Sequence, residues 1–507
     1  MRAVLFADVV ATSAAVGATR SRKAKVEALA ELLRGLSEAE VEPAVAWLAG
    51  APRQGRIGTG WRTLAELRRE PASTATLEVG EVDAVLAELA GTSGSGSAAR
   101  RRDLITGLLA AATADEQDFL FRLMTGEVRH GALEGVMVEA VARAGDVGAD
   151  VVRRAFMLSG RLPVTAAAAL TGGEAALEEF RLEVGRPVRP MLAAPAENLD
   201  DALAELGGEV SVEYKLDGAR IQVHRAGDAV WVFTRTLRDI TTGVPELVDL
   251  ARSLPCEQVV LDGETLALTD TGRPRPFQET MSRFGTEDPR ALLLRPYFFD
   301  CLHVDGRDLL DVSLDQRQHE LERIVGEHRI PTVVRPDVEV AAAHLDASLD
   351  GGHEGVVVKS LATPYAAGRR GRGWLKVKPV HTLDLVVLGA EWGYGRRTGW
   401  LSNLHLGARD PDGGEPIMVG KTFKGLTDAL LTWQTEEFPK HERARDAHAV
   451  YLHPELVVEI ELDGVQTSPR YDGGVALRFA RVLRYRPDKD PAEADTITAV
   501  RALLPAD

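Results

Sequence analysis

A lysine between two carboxylates, with a glycine and an arginine just behind, stands in Val212-Glu213-Tyr214-Lys215-Leu216-Asp217-Gly218-Ala219-Arg220. Such a lysine can serve as a nucleophile. Its amine has an ordinary pKa of about 10.4, so attack at neutral pH needs desolvation or nearby cations that favour the neutral form. By itself Lys215-Leu216-Asp217-Gly218 equally suits an exposed lysine before an Asp-Gly turn between two strands, and the tetrapeptide alone favours that reading. Chemistry at Lys215 therefore requires partners from elsewhere in the chain.

Further segments of matching character follow in order. Thr234-Arg235-Thr236-Leu237-Arg238-Asp239 comes directly off a predicted strand, and Leu261-Asp262-Gly263-Glu264 ends another in two acids. Phe298-Phe299-Asp300 adds an aromatic platform. Glu354 to Lys359 puts a glutamate and a lysine at opposite ends of a strand, and Trp374 to Lys378 sets two lysines on one strand face. Each segment alone fits a strand-end charge in solvent. Their joint occurrence within one domain is what points to a site.

The elements that must position these residues divide into three regions. Up to about Glu183 the apolar residues recur at helical spacing, and Ser37-Glu38-Ala39-Glu40 and Thr113-Ala114-Asp115-Glu116 fit capping boxes at helix starts. Gly91 to Ser97 reads as a flexible loop inside this all-helical region. Two patches, Arg53 to Trp61 and Arg129-His130-Gly131, put basic residues among glycines that allow close backbone approach to phosphates, although solvated loops fit them as well. Pro187 to Leu192 predicts an extended linker. Beyond it, alternating segments such as Ala219 to His224 and Ala229 to Phe233 predict antiparallel strands, with helical stretches at Leu314 to Glu327 and Val340 to Leu349. This α+β domain runs to about His381. Five predicted strands follow, at Leu383 to Ala390, Leu404 to Ala408, Ile417 to Val419, Leu456 to Leu462 and Leu477 to Tyr485. With one helix at Leu426 to Phe438, they suit a small Greek-key β-barrel.

The 507 residues allow about three domains. No apolar run is long enough to span a bilayer. Ala3 to Ala18 resembles a signal-peptide core, but Asp8 interrupts it and the pattern runs on into Lys25 to Leu29, which predicts an amphipathic helix. Two cysteines, Cys256 and Cys301, can build neither a disulfide framework nor a cysteine-rich zinc module, which places the chain in a reducing cytoplasm. A net charge of −16 argues against coating nucleic acid with the whole surface. Arg369 to Arg397 nevertheless carries seven Lys or Arg against two acids, and Arg470 to Lys489 six against two. A basic lining with an acidic outside meets the objection.

The ordered set resembles the nucleotidyltransferase motifs of the covalent superfamily that contains ATP-dependent DNA ligases and RNA capping enzymes. Arg478 to Lys489 is similar to the closing motif of the ligase branch, and Arg53 to Trp61, Arg129 to Leu133 and Pro190 to Ala193 are similar to its helical DNA-binding domain. The resemblance implies a multidomain fold: an all-α DNA-binding domain over 1–186, an α+β adenylation domain with ATP-grasp-like antiparallel sheets over 187–382, and a C-terminal OB-fold β-barrel over 383–507. It implies ATP and Mg²⁺ as cofactors, and nicked double-stranded DNA encircled by a monomer, with no membrane, as the setting. Lys215 is then the adenylated residue. Glu213 reads the adenine edge, Phe299 stacks on the base, and Arg220 and Arg235 reach ribose and phosphates. Lys376 and Lys378 hold the α-phosphate, with Arg370 a short loop before them. Glu264 and Glu354 suit Mg²⁺, and Asp217 orients the lysine or the DNA end. Arg478, Arg481, Arg484 and Lys489 contact the pyrophosphate leaving group after the last domain swings over the site. Arg53, Arg56, Arg129 and His130 meet DNA.

Capping enzymes and RNA ligases share Lys215 and the acids, but capping enzymes lack the helical third. An NAD-dependent ligase needs a cysteine zinc module that is missing, a Schiff-base barrel needs βα repetition, and a non-catalytic nick-binding scaffold has no need of Lys215, Glu264 and Lys376 together.

Overall fold

The structure, a computed structural model, describes residues 4–55, 57–128, 134–269, 272–275, 279–280, 293–367, 373–394 and 397–504. Among them, ten helices run from Phe6–Ala18 to Leu162–Glu178. Both expected capping boxes form: Glu40 accepts from the backbone N–H and the hydroxyl of Ser37 at 2.7 Å, and Glu116 does the same for Thr113 at 2.8 Å. Phe6, Val9, Val10 and Val16 of the first helix are buried, so the signal-like run is a core helix of the fold. The Gly- and Ser-rich stretch links the helices Val79–Gly91 and Ser97–Ala111, within the helical region as expected.

The segment after Pro187 is extended but is not a free linker. Val188 is buried, its N–H donating to Gln222 Oε1 at 2.7 Å and its carbonyl accepting from Gln222 Nε2 at 3.0 Å. Gly185 N–H donates to His224 Nδ1 at 3.0 Å. Burial, with His303 nearby, pushes the His224 imidazole down to about 3, which keeps it neutral and able to accept that bond. Two buried polar side chains thus satisfy backbone groups that a proline-rich segment cannot pair for itself. Met157, Leu158 and Leu182 of the helical region pack into one cluster with Met191, Leu216 and Phe299, which welds the two regions together.

Two sheets follow. The first holds, in spatial order, β1 (Ala194–Pro195), β10 (Trp374–Val377), β9 (Gly355–Ser360), β2 (Val210–Lys215) and β8 (Thr332–Val334). The second holds β4 (Ala229–Thr234), β3 (Ala219–Ala226), β5 (Gln258–Ala267), β6 (Leu294–Val304) and β7 (Arg307–Asp308). β2 and β3 lie in different sheets, so Lys215 to Gly218 is a crossing between sheets and not a hairpin turn. Leu261 to Glu264 stands in the middle of β5, not at a strand end, because the apolar Leu266 and Ala267 carry the strand onward into the core. The expected helices form as Leu314–Val325 and Val338–Asp350.

One ion pair in this core is sealed from water. Arg317 and Asp300 are both fully buried, with Nε to Oδ1 at 2.7 Å and Nη2 to Oδ2 at 3.1 Å, while Arg317 Nη1 donates to the carbonyls of Val312 and Thr363. Removing one partner leaves an uncompensated buried charge. Arg317→Met is therefore expected to destabilise the protein by about 3–5 kcal/mol in denaturant unfolding, and adding Asp300→Leu should recover part of the loss. A loss below about 1 kcal/mol for the single variant contradicts this, since that is the level of an exposed pair.

The C-terminal region departs most from expectation. Its described residues contain nine strands instead of five: β11 (His381–Trp392), β12 (Leu401–Ala408), β13 (Ile417–Thr422), β14 (Glu442–Arg445), β15 (Ala449–Leu452), β16 (Val457–Leu462), β17 (Gly464–Thr467), β18 (Val475–Arg478) and β19 (Arg481–Tyr485). The three strands missed outright are four residues each, too short to show an alternating pattern. The expected strand Leu477 to Tyr485 is broken at Phe479, whose φ of 56° no strand can hold. A second helix, Ile497–Arg501, joins the expected one at Asp428–Glu437. Seven strands pair in one sheet and β17 with β18 form a separate ribbon. No closed barrel is found among the described residues, so the Greek-key barrel is not confirmed.

Candidate active site

A cavity of about 660 Å³ opens where the two sheets of the middle region meet, and Lys215, Arg220, Arg235, Glu264, Phe299 and Lys376 line it. Two glycines permit that approach. A Cβ on Gly218 would lie 2.5 Å from the Thr265 carbonyl oxygen and 2.9 Å from Glu264 Cγ, and one on Gly355 would lie 2.3 Å from the Val377 carbonyl oxygen. Any side chain at either position would push Lys215 away from its neighbours.

Lys215 ends β2 opposite Gly355 on β9, which sets its Nζ against the Glu354 carboxylate. Arg220 is held by Asp262, Nε to Oδ1 at 3.0 Å and Nη2 to Oδ2 at 2.6 Å, and lies 5.3 Å over the Phe299 ring. The Tyr365 hydroxyl donates to Asp262 Oδ2 at 2.6 Å from behind. Burial pushes the Glu264 carboxyl up to about 7, against the pull of Arg220 and Lys215. Burial also lowers the Lys376 ammonium, and repulsion from Lys215 and Lys378 adds to the shift. Glu264, a half-buried carboxyl that is costly to ionise and feels the Lys215 charge, and Glu354, paired with the Lys215 amine, are hard oxygen donors, so these residues fit Mg²⁺. Mg²⁺ takes only one or two carboxylates beside phosphates and water.

Glu213 faces the same cavity from β2. Its Oε2 lies 2.5 Å from Lys359 Nζ, and its Oε1 accepts from Gln318 Nε2 at 2.8 Å. Lys359 Nζ also sits 4.5 Å and 4.1 Å from the ring centres of Phe299 and Trp374.

The C-terminal region closes over this site. Arg478 donates from Nη1 and Nη2 to the Asp217 carboxylate at 2.7 and 3.1 Å, with Glu354 Oε1 at 3.8 Å, and Lys378 pairs with Asp463. Of the four cations assigned to the leaving group, Arg478 reaches the carboxylates beside Lys215, although it does not itself line the cavity. Arg484 is engaged by Glu459 and Lys489 by Asp384, both at 2.6 Å within their own region, and Arg481 is exposed on β19. In the helical region Arg53 is paired bidentately with the nearly buried Asp83. Arg56, Arg129, His130 and Arg370 lie outside the described residues.

Sequence reasoning quoted Lys359 and Asp262 without giving them roles, and missed Gln318 and Tyr365. Asp262 and Glu264 stand two apart on one strand face, a signal that was available. Gln318 and Tyr365 carry none, since a helix glutamine and a loop tyrosine gain meaning only from what they touch.

Three family models match the chain: ATP dependent DNA ligase domain over residues 190–378, DNA ligase N terminus over 53–142, and ATP dependent DNA ligase C terminal region over 397–489. A probable DNA ligase of Rhodococcus jostii (strain RHA1) is 72% identical over 502 residues, covering 99% of this chain and 100% of its own length. The chain belongs to the ATP-dependent DNA ligases. A second ligase relative, the probable DNA ligase of Nocardia farcinica (strain IFM 10152), is 68% identical over 523 residues, with 99% and 100% covered. A solved structure named Pmar-Lig_PreS3 shares the fold at a TM-score of 0.63 and 18% identity, over 94% of this chain and 99% of its own. In this ligase the middle match ends at Lys378, the residue that joins the middle region to the C-terminal region through Asp463. No helix among the described residues is long and apolar enough to cross a membrane.

Proposed function

We propose that this ligase seals nicks in duplex DNA through a lysyl-AMP intermediate on Lys215, acting in the cytoplasm as a monomer that encircles its substrate. The observation that carries the reading is the meeting of three chain segments from two regions around one lysine: Lys215 from β2 and Glu354 from the turn before β9 in the middle region, and Arg478 from the C-terminal region on Asp217. Lys215 Nζ attacks the α-phosphorus of ATP, the bond to pyrophosphate breaks and the amine loses a proton. The 5′-phosphate of the nick then attacks the adenylate, the phosphorus–nitrogen bond breaks and lysine leaves. The 3′-hydroxyl attacks that phosphate, AMP departs and the phosphodiester is complete.

Glu213 receives the adenine edge, Phe299 stacks on the ring, and Arg220, Arg235, Lys376 and Lys378 hold ribose and phosphates, with Arg370 nearby. Glu264 and Glu354 would hold Mg²⁺, which would supply charge neutralisation at the phosphates. The C-terminal sheet serves as an OB-type fold, and 1–186 grips the duplex through Arg53, Arg56, Arg129 and His130. Arg20, between the first two helices, bonds Asp428 of the C-terminal region at 2.8 Å, which supports a chain that closes on itself around DNA.

Incubation with Mg²⁺ and ATP labelled at the α-phosphate should yield an acid-labile covalent adduct that chases into sealed DNA. Labelling by GTP instead of ATP, or sealing of RNA but not DNA strands, overturns the reading.

A further inference from the structure

The Glu213 carboxylate is held from behind on both oxygens. It is 2% exposed, with Lys359 on Oε2 and the Gln318 amide on Oε1. The same amide nitrogen donates to Ser211 Oγ at 3.0 Å, so both of its hydrogens are committed to two residues that share one face of β2. Gln318 belongs to the helix Leu314–Val325, is buried, and does not line the cavity. Lys359 has little freedom either: it also donates to the Phe299 carbonyl at 3.3 Å and packs between two rings.

We propose that Gln318 is a specificity-determining positioning residue, which aims the Glu213 carboxylate and leaves it only acceptor lone pairs to offer the base. The proposal rests on the reading that Glu213 meets the adenine edge. With donors already supplied by Gln318 and Lys359, Glu213 rewards a purine that brings a hydrogen of its own at position 6. Adenine brings a 6-amino group, guanine presents an oxygen there, and unsubstituted purine presents nothing. Without the amide, Oε1 is left buried and unpaired, and the carboxylate can turn or take up a proton and become a donor. Discrimination for the 6-amino group then falls, because a site built around a hydrogen bond selects only while its own groups are otherwise satisfied.

The test compares kcat/KM of self-adenylation for ATP and for purine riboside triphosphate, which lacks only the 6-amino group. Gln318→Met keeps the length and removes the donors, and should bring the ratio of the two down by about tenfold, the worth of one hydrogen bond to a charged group. Gln318→Glu can donate only while it carries a proton, since two carboxyls this close share one. Its ratio should approach the parent's at low pH and fall as pH rises, a profile that a packing role alone does not produce. Equal loss on both nucleotides in Gln318→Met, with a pH-independent ratio in Gln318→Glu, overturns the proposal and makes Gln318 structural. Glu213→Ala separates the two layers. A collapsed ratio there with an unchanged one in Gln318→Met sinks the proposal alone, whereas an unchanged ratio in Glu213→Ala sinks the base-reading role and the proposal with it.

Discussion

Lys215→Ala is expected to abolish the covalent adenylate, with nick sealing from ATP falling by on the order of 10⁴-fold or more, the scale on which enzymes lose a nucleophile. The reason is positional as well as chemical. Lys215 is the last residue of a strand whose neighbour, β9, is entered at Gly355, and Glu354 just before it meets the lysine amine. No other lysine among the described residues stands at that crossing between sheets. Lys376, which lines the same cavity, comes from β10 and approaches from the other side of β9. Arginine at position 215 would keep the charge and the pairing with Glu354 but could not form the adduct, because a guanidinium stays protonated. Lys215→Arg should therefore match Lys215→Ala in labelling with α-labelled ATP while keeping the parent's thermal stability. Labelling of either variant at the parent's level contradicts the assignment. DNA adenylated beforehand at its 5′ end bypasses the step, so both variants should retain more of that activity than of sealing from ATP.

The second large effect is expected at Arg478. Its two bonds to Asp217 span the C-terminal and middle regions, and Lys378 with Asp463 forms a second contact across the same junction. Both pairs are only partly exposed, so salt screens them less than it does a surface pair. Arg478→Ala should slow self-adenylation by about 10²–10³-fold, the usual cost of removing one donor aimed at developing charge. It should spare the sealing of pre-adenylated DNA, in which no pyrophosphate leaves. Lys489→Ala, whose partner Asp384 lies in its own region, should have a smaller effect on the first step. Equal losses in both steps for Arg478→Ala would falsify the leaving-group role and leave Arg478 as a clasp between regions. Asp217→Asn gives an independent check: it frees Arg478 while keeping the size of its partner, and should weaken closure without removing the cation.

Much of the site was legible before any fold was known, and its limits are physical. Lys215, Arg220, Arg235, Glu264, Phe299 and Lys376 were named from the chain and line one cavity. They could be named because their segments, taken in order, resemble the motifs of the nucleotidyltransferase superfamily, and such motifs are local to a few residues of the chain. Lys378 and Arg478 were named as phosphate ligands, yet here they hold Asp463 and Asp217. A cation's partner in a closed form depends on which surfaces meet. The C-terminal strands were undercounted for a different reason: a four-residue strand such as Glu442–Arg445 carries too little pattern to separate from a loop.

By itself, the sequence determined which reactive groups are present, their order, and the kinds of element that carry them. It did so because those features are local, expressed within a few residues through side-chain period, caps and turns. The tertiary structure decided what each group touches. Glu354 reaches Lys215 from 139 residues away, Gln318 reaches Glu213 from 105, and Arg478 reaches Asp217 from 261. It also decided that Lys215 lies on a crossing between two sheets, and that Glu264 is buried enough to be pushed up to about 7. Burial and pairing at such separations arise only when the sheets pack, because desolvation depends on everything around a group and not on its neighbours in the chain.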